Sequence, residues 1–551
     1  MTKQTSTERP TSILGIVRGD LTSLLRQEPL AWLCIPLILI CSLLPFINIG
    51  AQPFWADEAI AILPAHSIHS TLWPLSPFDL DYMPWQLQDG LWDPATPLYR
   101  YTVAAFTSLT GFSESTARSF SVLAGLLGVL PFYALVRKLQ GRQTALLAAT
   151  FLVTSPTFML FSREARHFTF LTLLVLWTLY HLYSATEGDE GRSRGLWVIG
   201  VVATLLCQTL GYGILPIVGL YVILNDPRRF LGWRHLPMYL VGAAAYLAVV
   251  GYFWRTLPFF HDVTCSTRPE CQPIPWYYLA VLFAFVSPMT APLEESPNLG
   301  LSVLPILFLM GLASTIRRAR AGRQAREQTS LLLLWFFVPL IALSVREVKF
   351  DRYLYIWVMP LCALFLALGV QRALRFRMFR GREHLATVGL VLLVVLAPQL
   401  VVSADWEPGP KRTTMRSAWV TFVSDHLFAA SDENWERIRW QTDYLQQRMR
   451  PGDVVVSSLD DGSLQYYLGQ FVYGFLNSRR TDEFFVDLLD RAETAGTKVW
   501  FVDTLPQWNF CLGGEPEPWR IDCRVKYERF YTRCAGPPEG LSPACQRLAL
   551  Q

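Results

Sequence analysis

The sequence predicts an α-helical polytopic membrane protein with about 11–13 transmembrane helices and a C-terminal extracytoplasmic α/β domain. Apolar residues make up 52% of its 551 residues and charged residues only 17%, which is too apolar for an ordinary soluble enzyme. The apolar residues are concentrated in runs of about 20, the length that crosses a bilayer as a helix. The net charge of +4 is too small to indicate a nucleic-acid partner.

The apolar runs define the predicted crossings. A backbone in lipid must satisfy its polar groups internally, so each run is predicted to be a helix. We place eleven crossings, at 30–49, 118–138, 143–161, 167–184, 196–211, 213–225, 236–254, 299–315, 330–345, 353–371 and 385–403. Two shorter apolar stretches, 97–111 and 276–290, are predicted to be interfacial or re-entrant, and they would raise the count to thirteen if both crossed.

Charge distribution predicts the orientation. Basic residues cluster in four short connections, which the positive-inside rule places in the cytoplasm: Arg137, Lys138 and Arg142; Arg228, Arg229 and Arg234; Arg317, Arg318, Arg320, Arg323 and Arg326; Arg372, Arg375, Arg377, Arg380 and Arg382. The segment 51–99 contains no Lys or Arg but six acidic residues, so we expect it outside. Residues 1–29 are polar and do not resemble a cleavable signal peptide. Run 30–49 is therefore predicted to be a signal anchor with a cytoplasmic N-terminus.

The predicted domains follow from these runs: a cytoplasmic N-terminal segment (1–29), a transmembrane domain (30–403) with a first exterior loop (50–117), and a soluble domain (404–551). In the last of these, residues 435–450 have helical periodicity and 453–458 form a β-branched run. A second helical segment, 482–496, and a second apolar run, 497–504, follow. This alternation predicts a small α/β layer, and because it has no Gly-rich phosphate loop, we assign it no catalytic chemistry.

The ten cysteines separate into two groups. Four lie in apolar runs and are expected to pack as small hydrophobes: Cys34, Cys41, Cys207 and Cys362. The other six lie in segments predicted to be outside: Cys265 and Cys271 in one loop, and Cys511, Cys523, Cys534 and Cys545 in the tail. Even numbers in each segment favour disulfides in an oxidising compartment over a zinc site, because no C-x-x-C pair is present.

An acidic pair, Asp57 and Glu58, stands just past the outer end of the first crossing. Transfer of a sugar to a hydroxyl needs a base that takes the acceptor's proton, and a carboxylate near an apolar boundary can be tuned for that role. The alternative is a merely solvated acidic helix end. The rest of the loop, including Tyr99, is rich in aromatic residues that suit either a sugar-binding surface or the bilayer interface. His66 and His69 are interpreted as structural.

Two further charged motifs lie on the predicted outer side. In the short turn between two crossings, Arg163 and Arg166 are suited to grip a lipid phosphate, with Glu164 orienting one of them. The alternative is interfacial snorkelling. Lys349 and Arg352 give a second outer segment a positive charge that runs against the positive-inside trend, and an anionic lipid headgroup would account for it.

Four motifs, in order, resemble the C-type glycosyltransferases, in particular the branch of the protein O-mannosyltransferases and the lipid A aminoarabinose transferases. They are Trp55-Ala-Asp57-Glu58; Pro97-Leu98-Tyr99 followed by Thr116-Ala-Arg118-Ser-Phe-Ser-Val-Leu-Ala-Gly-Leu-Leu; Ser162-Arg163-Glu164-Ala165-Arg166; and Asp351-Arg352-Tyr353 leading into Val358-Met-Pro360. The order is more specific than any one motif. It covers residues 30 to about 370 and leaves out the C-terminal segment.

The resemblance implies an inverting transfer from a polyprenyl- or dolichyl-phosphate sugar at the outer face of a bacterial plasma or inner membrane. Asp57 would act on the acceptor, a protein, glycolipid or polysaccharide, with Glu58 as its neighbour. Family members often carry His-Pro-Pro before Leu-Tyr, whereas this chain has Asp93-Pro94-Ala-Thr-Pro97, so that His role is absent here. Because the family has metal-using and metal-independent members, no metal ligands are assigned, although a divalent cation remains possible.

Two other classes fit many spans. A transporter or flippase should carry ionisable residues within the spans and show repeated halves, whereas the notable charges here lie at outer helix ends. A non-catalytic membrane scaffold would bind a partner through its outer domain. Replacing Asp57 by Asn separates these readings, because a transferase would lose turnover and keep its fold.

Overall fold

The computed structural model describes most of the helical part of the chain and the core of its C-terminal segment. The described residues are 13–27, 30–54, 56–72, 97–187, 190–225, 227–230, 235–254, 304–345, 351–375, 383–396, 398–402, 413–417, 433–457, 461–469, 472–474, 482–502 and 545–548. The chain divides into two compact units. The first unit comprises Met1–Ile49, Arg118–Val250 and Pro273–Ala429, and the second comprises Gly50–Ala117, Gly251–Gln272 and Ala430–Gln551.

The first unit is built from helices. They are α1 (Ile13–Gln27), α2 (Ala31–Leu43), α5 (Glu114–Gln140, whose first residues belong to the second unit), α6 (Arg142–Val153), α7 (Pro156–Arg163), α8 (Phe168–Thr186), α9 (Glu190–Cys207), α10 (Ile214–Asn225), α11 (Pro227–Phe230), α12 (Leu236–Trp254), α13 (Leu304–Arg318), α14 (Arg323–Val345), α15 (Asp351–Ala373) and α16 (Glu383–Leu396). The second unit contributes α3 (Ala56–Thr71) and α4 (Pro97–Thr110), which lie between α2 and α5 in the chain.

Four of the described helices are long and apolar enough to cross a membrane: Glu114–Gln140, Phe168–Thr186, Arg323–Leu343 and Tyr355–Ala373. The count of such helices rises to five if α6 and α7, which are bent by 57° at a short break, form one span. Five shorter apolar helices accompany them, at Ala31–Phe46, Ser193–Cys207, Leu210–Asn225, Leu236–Ala248 and Leu385–Val395. The described residues therefore form a mostly helical protein with several apolar helices suited to a membrane.

Two predicted crossings differ from the structure. The run 143–161 is broken, because Ser155 accepts a hydrogen bond from the Phe158 amide as the N-cap of α7, and Pro156 occupies the first helical position. The run 385–403 is helical only to Leu396. Residues Pro398–Val402 instead form a strand, β1, that pairs antiparallel with β2 (Thr413–Ser417).

A close helix crossing lies inside the first unit, between α13 and α15. A Cβ added to Gly311 would lie against the Phe365 carbonyl oxygen, and one added to Gly369 would lie against that of Leu307. Small residues at matching positions let two apolar helices approach to backbone contact, which is how helices in lipid gain packing energy. The rings of Phe308 and Phe365, 5.4 Å apart, pack edge to face beside this crossing.

The second unit contains a four-stranded sheet. Its strands are β3 (Val454–Ser457), β4 (Val472–Gly474), β5 (Val499–Val502) and β6 (Cys545–Leu548), all parallel in the order β4-β3-β5-β6. The helices of the same segment are α17 (Glu433–Arg448), α18 (Asp461–Leu468) and α19 (Asp482–Ala495). A strand that is buried on both faces requires a continuous apolar run, and β3 and β5 have one.

Helices cover both faces of this sheet. On one face, Phe485 and Leu489 of α19 pack against Val456 and Phe501. On the other, Leu445 of α17 and Leu464 of α18 pack in a cluster that includes Val455, Trp500 and Val502. Helix α18 also packs against α3 within the second unit. Residues 50–117 and the C-terminal segment thus share one compact unit, which no local pattern in the sequence predicts.

One carboxylate joins α17 to the sheet. Asp453 accepts hydrogen bonds from the backbone N–H of Arg450 (2.9 Å), the backbone N–H of Lys498 (2.9 Å) and the indole N–H of Trp500 (3.0 Å). Burial alone would raise the pKa of Asp453, but these three donors outweigh it and hold the pKa below its usual value. The ionised form of Asp453 therefore stabilises the folded segment.

Four cysteines are buried free thiols: Cys34, Cys41, Cys207 and Cys362. The predicted disulfides stay a prediction, because Cys265, Cys271, Cys511, Cys523 and Cys534 lie outside the described residues and Cys545 is described only as part of β6. The predicted interfacial stretch 276–290 also lies outside them, whereas residues Pro97–Thr110 form the helix α4.

Candidate functional site

The candidate residues fall into two groups, with the arginines after α7 in the first unit and the acidic pair in the second. In the first unit, Arg163 at the end of α7 holds the chain that follows α2. Its guanidinium donates hydrogen bonds to three backbone carbonyl oxygens, those of Pro45 (3.1 Å), Ile47 (2.6 Å) and Asn48 (3.3 Å). Carbonyls at the C-terminal end of a helix have no partner within the helix, and a cation there also complements the helix dipole. Arg163 therefore anchors a backbone turn, and its predicted contact with a lipid phosphate stays a prediction.

A second arginine continues the same anchor. Arg118 of α5 is only 6% exposed, and its Nη1 donates to the carbonyl oxygen of Ile49 at 3.0 Å. Arg118 belongs to one of the motifs that carry the resemblance, but the sequence analysis gave it no role. Between them, Arg163 and Arg118 fix the backbone over residues 45–49, which immediately precede the segment with the acidic pair.

The turn after α7 is tied to α5. The Ser121 hydroxyl donates to the carbonyl oxygen of Arg166 at 3.2 Å, and the Thr169 hydroxyl donates to the carbonyl oxygen of Ser121 at 2.7 Å. The Arg166 guanidinium lies 5.0 Å from the centre of the Phe168 ring, a cation–π contact, and the residue is only partly buried. Its neighbour His167 is buried and lies 3.1 Å from the Gln208 side-chain amide. The turn thus presents Arg166 on a rigid backbone.

Tyr355 places the start of α15 beside this turn. Its ring centre lies 4.6 Å from that of Phe161, and its side chain is 1% exposed. Among the described residues no group hydrogen-bonds to the Tyr355 hydroxyl. Arg352 lies one helical turn before Tyr355, in the first turn of α15, although its side chain is outside the described part of the chain. Lys349 lies outside the described residues altogether.

In the second unit, the acidic pair stands at the start of α3. Asp57 and Glu58 occupy its first turn, where the helix dipole favours negative charge. Glu58 is 1% exposed, and a buried carboxyl group requires polar partners within the protein. The backbone of Asp57 is helical, and its side chain lies outside the described part of the chain.

Two residues of α4, in the same unit as the acidic pair, are buried. Tyr99, predicted as a substrate contact, has no exposed surface, and Arg100 is 2% exposed. A fully buried guanidinium is costly without partners, so a buried Arg in a loop rich in acids is a functional candidate. None of the sequence motifs identifies Arg100, although one signal for it exists. It is the first Lys or Arg after the segment 51–99, which has neither.

Tyr467 of α18 holds the backbone that immediately precedes the acidic pair. Its hydroxyl accepts a hydrogen bond from the backbone N–H of Phe54 (2.7 Å) and donates one to Glu114 Oε1 (2.9 Å). Burial, and after it the negative charge of Glu114, raise the pKa of Tyr467, so the phenol stays protonated as a donor. The Phe54 ring also lies 5.0 Å from that of Tyr466. No local pattern in the sequence identifies this contact.

The two histidines of α3 lie in polar and aromatic contacts. His69 Nε2 lies 3.0 Å from Thr107 Oγ1, and the His66 ring lies 4.5 Å from the Phe112 ring. Burial, followed by the nearby His69, lowers the pKa of His66. Within the described part of the chain, no three His, Cys, Asp or Glu side chains are grouped closely enough to hold a metal ion.

These residues form two groups, one in each unit: an acid pair at a helix start, and arginines at the turn after α7. The fold that carries them is similar to those of several solved structures. ArnT from Cupriavidus metallidurans bound to undecaprenyl phosphate matches 93% of this chain and 92% of its own, with a TM-score of 0.53 and 12% identity. The Archaeoglobus fulgidus oligosaccharyltransferase tethered with an acceptor peptide containing the NVT sequon matches 84% of this chain and 66% of its own, with a TM-score of 0.51 and 13% identity.

A third match is the archaeal oligosaccharyltransferase AglB from Archaeoglobus fulgidus in complex with an inhibitory peptide and a dolichol-phosphate, at 81% of this chain, 65% of its own, a TM-score of 0.51 and 13% identity. Residues 94–254 match the family Dolichyl-phosphate-mannose-protein mannosyltransferase. The resemblance to C-type glycosyltransferases predicted from the order of motifs is therefore confirmed. Among proteins of curated function, none matches this sequence.

Proposed function

We propose that the protein is a membrane glycosyltransferase that moves a sugar from a polyprenyl-phosphate carrier to an extracytoplasmic acceptor with inversion. One observation carries this proposal: nearly the whole chain shares the fold of ArnT, whose structure holds undecaprenyl phosphate. The residues that this chain keeps at its two sites, carboxylates and arginines, suit the two ends of that reaction. The sugar and the acceptor are not part of the proposal.

The proposed step is a single displacement. The Asp57 carboxylate takes the proton of the acceptor hydroxyl as that oxygen attacks the anomeric carbon. The bond between the anomeric carbon and the phosphate oxygen breaks, and the polyprenyl phosphate leaves with the electron pair. Attack opposite the leaving group inverts the anomeric centre. Glu58, buried beside Asp57 in the chain, positions or tunes it.

The leaving phosphate gains negative charge in the transition state, so cations held in place beforehand accelerate its departure. We assign this role to Arg166, on the rigid turn, and to Arg352 and Lys349, near the start of α15. Arg163 contributes indirectly, because its guanidinium holds the backbone at residues 45–48. Glu164 orients one of the arginines of the turn. Tyr99 and Arg100, which are buried in α4, support the loop that carries the acidic pair.

The distribution of basic residues supports one membrane orientation. The arginine-rich connections face the cytoplasm, together with the N-terminus, and the first exterior loop and the C-terminal α/β segment face outside. The protein lies in the plasma or inner membrane of a bacterial cell and crosses it about 11–13 times. Because α18 packs against α3, the C-terminal segment supports the loop that carries Asp57 and contributes to selection of the acceptor.

The test is transfer by the purified full-length protein in lipid. Radiolabelled donors, a panel of synthetic polyprenyl-phosphate sugars, are incubated with wild type, Asp57→Asn and Asp89→Asn. Asp89 is a matched control, since it is an acid of the same loop outside the acidic pair. We expect hydrolysis or transfer with one donor, a loss of 10²-fold or more in Asp57→Asn and little change in Asp89→Asn.

Activity in the wild type that survives in Asp57→Asn would reject Asp57 as the base and keep the transferase assignment. No turnover of any donor, with helical content intact by circular dichroism, would instead favour a transporter, flippase or scaffold.

A further inference from the structure

A basic cavity lies among helix ends of the first unit, at the C-terminal end of α5. It measures about 530 Å³, within the range of small-ligand sites. It is lined by the end of α5, by the glycine between α5 and α6, and by the hairpin that joins α13 to α14: Arg137, Lys138, Leu139, Gln140, Gly141, Arg318, Ala321, Gly322, Arg323, Gln324, Ala325 and Gln328. Four of these residues are cationic and none is acidic.

Acids outside the cavity compensate only part of this charge. Arg137 pairs with Asp20, and Lys138 lies 3.3 Å from Glu187. The described partner of Arg318 is the neutral side-chain amide oxygen of Gln140. Arg323 pairs with Glu327 one turn along α14, but its side chain is 77% exposed, so this pairing neutralises little of its charge at the cavity.

The start of one helix lines the cavity, and a second helix begins beside it. Helix α6 begins after Gly141, and the structure shows no side-chain hydrogen bond capping it. Helix α14 begins after Gly322, which also lines the cavity. Both glycines have a positive φ, +94° and +140°, a conformation that other residues rarely adopt. The first residues of α14 therefore bring backbone amide groups to the cavity wall. The C-terminal ends of α5 and α13 line the same cavity and offset the dipole of α14, so the cavity's positive charge comes from the side chains.

We infer that this cavity binds a phosphate group, carried either by an anionic lipid headgroup or by a free phosphate compound. Arginine side chains and helix N-termini are the groups that recognise phosphate in proteins. The cavity lies between the ends of apolar helices, where a headgroup at a membrane surface is within reach, and basic pockets of this kind suit anionic lipids. The inference is independent of the proposed transfer, because none of the residues assigned to that reaction lines the cavity.

The experiment uses the purified full-length protein in neutral detergent. Calorimetric titrations are made with dihexanoyl phosphatidylglycerol, dihexanoyl phosphatidylcholine and inorganic phosphate. The cavity variant is Arg318→Gln/Arg323→Gln, and its matched control is Arg317→Gln/Arg320→Gln, which removes the same charge from exposed residues of the same hairpin that do not line the cavity.

Binding of phosphatidylglycerol alone, weakened about 25-fold in the cavity variant, supports a lipid headgroup, since each basic residue near an anionic headgroup contributes about a factor of five. Binding of inorganic phosphate that competes with the lipid and is lost in the same variant supports a free phosphate compound. Binding of neither, equal binding of phosphatidylcholine, or equal losses in both variants overturns the inference.

If the cavity variant does not fold, hydrogen exchange of the wild type with and without ligand tests whether the cavity binds phosphate. Phosphatidylglycerol or phosphate should slow exchange at 137–142 and 318–328. Unchanged exchange there at saturating ligand overturns the inference.

Discussion

Replacing Arg163 by Gln tests whether this arginine anchors the backbone before the acidic pair. Its guanidinium makes three hydrogen bonds, of which those to Pro45 and Ile47 are partly buried and that to Asn48 is exposed. A hydrogen bond from a charged donor contributes about 1.5 kcal/mol at the low end of its range, and an exposed one contributes close to zero. Loss of the two partly buried bonds should therefore destabilise the first unit by about 3 kcal/mol.

The assay is unfolding of the purified protein in mixed micelles of mild detergent and dodecyl sulfate, followed by far-ultraviolet circular dichroism. Arg326→Gln is the control, because Arg326 is an exposed residue of α14, and we expect a change within about 0.5 kcal/mol. A loss below about 1 kcal/mol in Arg163→Gln would refute the anchoring argument. If the variant instead kept its stability and its KM for the lipid donor rose, Arg163 would act on the phosphate, as the sequence pattern suggested.

Three further outcomes are expected. Gly369→Leu should destabilise the helix crossing by about 3 kcal/mol in the same unfolding assay, because its side chain would meet the Leu307 carbonyl. Gly389→Leu should leave the stability unchanged, because open space surrounds Gly389, and equal effects of the two substitutions would contradict the packing argument. Tyr467→Phe removes the hydroxyl that accepts a hydrogen bond from the Phe54 amide, so the hydrogen exchange of that amide should become at least tenfold faster. Unchanged exchange would show that this hydrogen bond does not order the backbone at Phe54. Asp453→Asn should cost about 1–2 kcal/mol at pH 7, measured by denaturant unfolding followed through Trp fluorescence. The folded pKa of Asp453 lies below its unfolded value of about 3.9. The extra stability of the wild type over Asp453→Asn should therefore be complete above that value and vanish as the pH falls through the folded pKa. A stability difference that persists at lower pH would exclude the ionised form as its cause.

Much of the architecture follows from local patterns in the sequence. Long apolar runs predict membrane helices because a lipid-embedded backbone has to satisfy its own polar groups, and α5, α8, α14 and α15 fall on predicted runs. The order of four short motifs predicts the class of fold, and the fold shared with ArnT agrees. Short-range chemistry also accounts for the break before α7, since Ser155 and Pro156 start a new helix there.

Only the tertiary structure decided which partners the polar residues find. Arg163 contacts carbonyls more than a hundred residues earlier in the chain, and Tyr467 contacts Phe54 across 413 positions. Hydropathy and periodicity report which face of an element is apolar, but they do not specify which distant element packs against that face. The sequence by itself therefore determined that this is a helical membrane protein with acids and arginines in C-type glycosyltransferase order. Packing decided that Arg163 binds backbone, that Arg100 is buried, and that α18 packs against α3, because these depend on contacts between residues far apart in the chain.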